Sequence, residues 1–280
     1  MSPFIPDSSF VIRHSSFIPH PSPFLIPHSP FIIHHSCISP LAACILAVGM
    51  LGWGCSHPPG REGSRNRSED WAMERENMVS RQIEARGVSN PAVLKAMRKV
   101  ERHLFVPDEE KPYAYDDRPL PIGKDQTISQ PYIVGLMTQL LDPKPHHKIL
   151  EIGTGSGYQA AVLAEIADQV YTIEIVEGLG RHAETILRDL GYQNIHVRIG
   201  DGYRGWPEEA PFDGIIVTAA PEKVPQPLLD QLREKGRLVI PVGGFADQRL
   251  VVYVKTAEGI RQQDSIGVRF VPMTGEAMGK

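Results

Sequence analysis

The sequence predicts an α/β protein: a doubly wound sheet with helices on both faces, finished by a C-terminal β-hairpin. Three observations carry this reading. From Lys148 onward, short apolar runs alternate with helix-compatible runs, the pattern of strand–helix–strand units. The first run, Lys148-Ile-Leu-Glu-Ile152, leads straight into Gly153, Gly155 and Gly157. Such a loop lets a ligand approach the backbone at the carboxyl edge of a sheet. The next two apolar runs, Gln169–Ile173 and Ile195–Ile199, are followed by acids, Glu174 and then Asp201 between Gly200 and Gly202.

The 280 residues and 41% hydrophobic content allow a sizeable core, and the net charge of −4 shows no basic footprint for nucleic acid. Cys37, Cys44 and Cys55 all lie early in the chain. The body therefore has no disulfide framework, thiolate metal site or cysteine nucleophile, and no metal site is expected. Residues 1–36 repeat one Ser/Pro/Phe/His theme at a drifting period, with prolines that break helix and strand. Disorder is the expectation there. Cys37 to Cys55 is an apolar run interrupted by Pro40, Gly49, Gly52 and Gly54. It is marginal as a membrane span and poorly flanked as a leader, so no stable span is expected, and export or a lipid anchor stays an alternative if this run is a true leader. Pro58 to Asp70 reads as a polar linker. The chain thus divides into an extension, 1–70, and a folded domain, 71–280.

In order, Met73 to Arg86 predicts a helix stopped by Gly87, and Ser89-Asn-Pro91 opens a second helix with Val93, Met97 and Val100 on its buried face. Pro112 to Asp125 reads as loop. Thr127-Ile-Ser-Gln-Pro131 precedes an amphipathic helix carrying Ile133, Leu136, Met137, Leu140 and Leu141, with Ser129 as a candidate N-cap. After the glycine loop come a helix from Gln159, the Gln169–Ile173 strand, a helix from Glu177 to Leu190 and the Ile195–Ile199 strand. Then follow a strand from Phe212 to Thr218, a helix from Pro225 to Arg233 and a strand from Arg237 to Pro241. Arg249–Lys255 and Ile260–Val268 form the closing hairpin around Gly259.

The glycine spacing is G-x-G-x-G, because Tyr158 stands where a dinucleotide site wants its third glycine. Glu174 at a strand end can accept both hydroxyls of a ribose, or be a solvated carboxylate. Asp201 can accept from an adenine amino group, or simply make a turn. Together these residues describe a nucleoside ligand rather than a dinucleotide.

At this point the sequence resembles the protein-L-isoaspartate O-methyltransferase family, from about Met78 to the C-terminus. The segments that carry the resemblance are Thr127-Ile-Ser-Gln-Pro131, Leu150-Glu-Ile-Gly-Thr-Gly-Ser-Gly-Tyr158, Gly200-Asp-Gly202, Ala210–Pro221, Leu238-Val-Ile-Pro-Val-Gly243 and Arg269-Phe-Val-Pro272. The resemblance implies a Rossmann-like methyltransferase sheet and S-adenosyl-L-methionine as cofactor. It implies Gly153, Thr154, Gly155, Ser156, Gly157, Glu174, Asp201, Gly202 and Thr274 around that cofactor. Ser129 would stand beside the reacting carboxylate, with Thr127, Ile128, Gln130, Pro241 and Val242 bordering the substrate. The implied reaction methylates the free carboxylate of L-isoaspartyl and D-aspartyl residues in damaged proteins, and so begins their repair. The implied enzyme is a cytoplasmic monomer acting on such proteins, with no nucleic-acid partner.

Methyl transfer to a carboxylate needs no general base, because the nucleophile is already ionised at neutral pH. Alignment and exclusion of water are what the protein must supply. Three rival readings stay open at this stage: a methyltransferase acting on a small molecule, a nicotinamide-dependent oxidoreductase, and an exported binding protein. The Thr218-Ala-Ala-Pro221 segment lacks the Asn/Asp-Pro-Pro-aromatic motif of enzymes that methylate amino groups of nucleic acids.

Overall fold

The computed structural model describes residues 67–244 and 246–279. The repeat, the apolar run and most of the linker lie outside the described residues. The linker reading is corrected at its end: α1 (Arg67–Asn77) begins before Asp70. It continues as a π-helix, Met78–Ile83, and a 3-10 turn, Glu84–Arg86, to Gly87 at φ 94. The sequence pattern suggested one α-helix here. Met78, Val79 and Ile83 are all fully buried, and the wider i→i+5 turn brings residues five apart towards one face.

α2 (Pro91–Lys99) is capped by Asn90, whose side chain accepts from the Ala92 and Val93 amides at 2.9 and 3.5 Å. The segment expected as loop, Pro112 to Asp125, instead takes in the end of a 3-10 turn, Asp108–Tyr113, and all of β1 (Leu120–Gly123). β1 pairs antiparallel with β2 (Gln126–Ile128) as a separate ribbon. α3 (Pro131–Leu141) has Gln130 at its N-cap position and no side-chain cap. The capping role expected of Ser129 is therefore corrected. Pro131, with φ already set for a helix, fixes the start one residue too late for it.

The main sheet follows as β3 (Lys148–Ile152), α4 (Tyr158–Ala164), β4 (Gln169–Glu174), α5 (Glu177–Asp189), β5 (Ile195–Ile199) and β6 (Phe212–Val217). It ends with α6 (Gln226–Asp230), β7 (Leu232–Val242), β8 (Gln248–Thr256) and β9 (Gly259–Val268). α6 is shorter and β7 longer than the sequence suggests. Leu232 is buried and pairs with Phe212, while Arg233, Glu234 and Lys235 stay exposed in an irregular stretch before pairing resumes at Arg237 opposite Gly214.

The seven strands run in the order β5-β4-β3-β6-β7-β8-β9. β5 through β7 are parallel neighbours, and β7, β8 and β9 form the antiparallel end. Alternate residues feed two apolar cores, one on each face. Ile149, Ile216 and Val239 join the core that includes α2, α3 and α4, whereas Leu150, Ile152, Ile215, Val217, Leu238 and Ile240 join the other. The chain leaves β3 towards β4 and β5, then returns to β6 on the opposite side of β3. That reversal opens a crevice at the carboxyl ends of β3 and β6, the usual ligand position in such sheets.

Candidate active site

The loop after β3 is shaped by contacts a larger residue would break. Gly153 sits at φ 96, and a Cβ there would collide with Thr218 Oγ1. Thr218 in turn donates to the carbonyls of Ile152 and Gly153 at 3.1 and 2.8 Å, joining the ends of β3 and β6. Gly157 is the N-cap of α4 at φ 89. A Cβ there would crowd Leu187 and Ala183 of α5, so this glycine serves helix packing.

Glu174, at the end of β4, is 5% exposed. Its Oε2 accepts from the Gly155 amide at 2.8 Å and its Oε1 from the Val176 amide at 2.9 Å. The carboxylate ties the glycine loop to the start of α5. Each carboxylate oxygen has a second lone pair, so acceptor sites remain for hydroxyl donors. Asp201 is held similarly. Its Oδ1 accepts from the Tyr203 amide at 2.9 Å and its Oδ2 from the Glu276 amide at 2.7 Å.

The second of these bonds depends on the C-terminal segment crossing the cleft. The Ala220 amide donates to the Val271 carbonyl and the Met273 amide to the Ala220 carbonyl, both at 2.9 Å. Val271 to Thr274 are thereby laid beside the end of β6, and Thr274 reaches the cleft wall.

The glycine loop, the ends of β4 and β6, the Thr127–Ser129 segment and Val271 to Thr274 line one cleft. Of the residues the sequence singles out, Gly153, Thr154, Gly155, Ser156, Glu174, Asp201, Gly202 and Thr274 line it together. Thr127, Ile128 and Ser129 line it from the ribbon side. Gly157, Pro241 and Val242 do not. Pro241 is buried in β7, paired with Leu250. Gln130 lies on an adjoining cleft that shares Thr127 and Ser129 with the first.

Sequence reasoning missed Glu151. It is fully buried at the floor of this cleft, on the same face as its register partner Thr172. Thr172 donates to Glu151 Oε2 at 2.6 Å and makes a 2.7 Å hydroxyl contact with Thr154. Glu151 Oε1 has no protein partner. Burial, aided by the charge of Glu174, pushes this carboxyl up to about 8 despite the Thr172 bond. One acid set among the apolar residues Ile149, Leu150 and Ile152 was the available signal. No local feature of the sequence marks Thr218 or Val271 to Met273 as reaching the site, since tertiary pairing brings them there.

The family model for protein-L-isoaspartate(D-aspartate) O-methyltransferase matches residues 73–278. The chain belongs to this family. It is 58% identical over 200 residues to a protein-L-isoaspartate O-methyltransferase of Gloeobacter violaceus, covering 71% of this chain and 98% of that protein. A Picosynechococcus enzyme of the same name is 57% identical over 205 residues, covering 73% of this chain and 92% of its own. A solved protein-L-isoaspartate O-methyltransferase structure superposes with a TM-score of 0.67 at 28% identity, over 72% of this chain and 67% of the other. A Plasmodium falciparum structure described as a putative family member, in complex with S-adenosyl-L-homocysteine, supports the fold with a TM-score of 0.63 at 24% identity. It covers 71% of this chain and 98% of its own.

The chain is accordingly an S-adenosylmethionine-dependent methyltransferase that modifies isoaspartyl residues of damaged proteins. The cleft suits that cofactor. Glu151, Glu174 and Asp201 line it, and no Lys, Arg or His does so among the described residues. The ionisable side chains that a ligand bearing a sulfonium and an ammonium meets there are all acids, and one of them, Glu151, has an unpartnered buried oxygen. Among the described residues no group of acids, histidines or cysteines could hold a metal ion, and no helix is long and apolar enough to cross a membrane.

Proposed function

We propose a division of labour between the two walls of the cleft. Glu174 takes the ribose hydroxyls, and Asp201 with Gly202 takes the adenine side. The Gly153–Ser156 loop, above Glu151, takes the amino-acid end, and Thr274 closes over the ligand. The observation that carries this reading is the meeting of an acid-lined cleft with the Thr127–Gln130 loop at Ser129. When bound, S-adenosylmethionine supplies a methyl group on a cationic sulfur. The substrate carboxylate is its own nucleophile, so the protein needs to orient it rather than deprotonate it.

Ser129 is suited to that task. It is half-buried, it follows β2, and its hydroxyl has no side-chain hydrogen bond among the described residues. We assign it a single hydrogen bond to the reacting carboxylate, with Thr127, Ile128 and Gln130 bordering the same substrate. The proposal places catalysis in residues 71–280, in a cytoplasmic monomer without a nucleic-acid partner. Net charge −4 and the acid-lined cleft are in keeping with the last point. Direct transfer predicts that Ser129 never carries the methyl group. Intact-mass and peptide mapping of enzyme quenched during turnover test this, and a methylated Ser129 would overturn it.

A further inference from the structure

We propose that Arg86 is a specificity residue: it receives a carboxylate carried by the polypeptide that flanks the isoaspartyl residue. The inference rests on the isoaspartyl reading. It starts from the adjoining cleft, which shares Thr127, Ser129, Thr218, Val271 and Pro272 with the cofactor cleft. A chain whose damaged residue reaches Ser129 continues into this second cleft.

One wall of the second cleft is the tip of β9, Ile266 to Val268. β9 ends the sheet, with β8 as its only neighbour among the described strands. An edge strand offers backbone groups to an extended chain. The opposite wall carries Arg86, Gln130 and Tyr132. Arg86 Cζ sits 3.5 Å from the centroid of the Tyr132 ring, and Nη1 donates to Asp117 Oδ2 at 2.8 Å. The guanidinium is thus fixed on an aromatic face and tied at one nitrogen. Its planar fork has five N–H donors and suits a second carboxylate. Prior fixing lowers the entropy cost of using it. The lining of this cleft carries Arg86, Arg269 and Asp247, and with Asp117 bound to Nη1 of Arg86 it is the remaining donors of that fork that a guest carboxylate meets.

Asp117 also accepts from Gln130 Nε2, at 2.8 Å to Oδ1 and 3.0 Å to its carbonyl. Arg86 could therefore act only as a brace for the loop beside Ser129. A brace affects every substrate alike, whereas a recognition residue affects acidic ones selectively.

The test uses the full-length enzyme and four isoaspartyl peptides of one parent sequence. One is neutral and amidated, one carries Glu near the isoaspartyl residue, one carries Lys there, and one is neutral with a free carboxyl terminus. At low salt the Glu peptide, the free-terminus peptide or both should show a KM about two- to fivefold below the neutral peptide, the range of an exposed ion pair. Which of the two gains identifies the source of the carboxylate. The gain should fade in high salt. Arg86→Gln should bring the KM ratio to one. Asp117→Asn removes the competing carboxylate and should enlarge the ratio, although it also loosens Gln130. Equal changes for all four peptides in both variants would reduce Arg86 to a brace, and a wild-type ratio of one for both acidic peptides would also overturn the assignment. Failure to methylate any of the four would instead overturn the isoaspartyl reading on which it rests.

Discussion

Glu174→Gln is the most informative single change in the cofactor cleft. It preserves shape and burial but turns a double acceptor into one acceptor and one donor. Glu174 accepts from two backbone amides, Gly155 at 2.8 Å and Val176 at 2.9 Å. In the variant one of these amides faces an NH2 group. An unsatisfied buried amide costs about 1–3 kcal/mol of stability, so melting should fall measurably. The proposed ribose contact weakens separately. Losing one hydrogen bond to a charged group costs about 1.5–3 kcal/mol, which lowers affinity roughly 10- to 150-fold. Titration calorimetry with S-adenosylhomocysteine, run well below the melting temperature, separates the two effects. Glu177→Gln is the control, because its ion pair with Arg181 is exposed on both sides and should matter little. A folded Glu174→Gln protein with wild-type affinity would remove Glu174 from the ribose site.

Three further outcomes follow from the structure. Ser129→Ala should lower kcat/KM for an isoaspartyl peptide roughly 10- to 150-fold while sparing cofactor affinity. It should leave melting nearly unchanged, because Gln130 and not Ser129 occupies the N-cap; a large loss of stability in the melting curve would contradict this. Glu151, raised from 4.5 to about 8, holds a proton in the folded chain that the unfolded chain releases between those values. Ligand-free stability should therefore fall as pH rises through that window, and Glu151→Gln should flatten the slope of melting temperature against pH. A chain begun at Gly60 retains α1 and every described element. It should fold and methylate, and inactivity beside an active full-length protein would place earlier residues in the catalytic unit.

The parts of the site that lie along one local stretch were legible in the sequence. The glycine loop, Glu174 and Asp201 follow apolar strands, and the sheet order places the ends of β3, β4 and β5 together. What the sequence hid depends on tertiary pairing. β7 begins at Leu232 because that side chain is buried opposite Phe212, which outweighs the charged triplet after it. The π-helix forms because Met78, Val79 and Ile83 all meet the core. The Val271 to Thr274 segment enters the cleft through its pairing with Ala220. Gly157 looked like part of the ligand loop but answers to the packing of α4 against α5. Glu151 was visible as an acid within β3, yet its missing partner shows only when Thr172 is found to satisfy one oxygen and nothing the other.

The central claim is that this cleft delivers a methyl group to an isoaspartyl carboxylate. It is tested most directly with two peptides identical except for one residue, L-isoaspartyl in one and normal L-aspartyl in the other. Each is incubated with enzyme and methyl-labelled S-adenosylmethionine. The account predicts base-labile label, released as methanol, in the isoaspartyl peptide and background in its twin. Equal labelling of both, or label in neither while a small carboxylic acid is methylated, would contradict it.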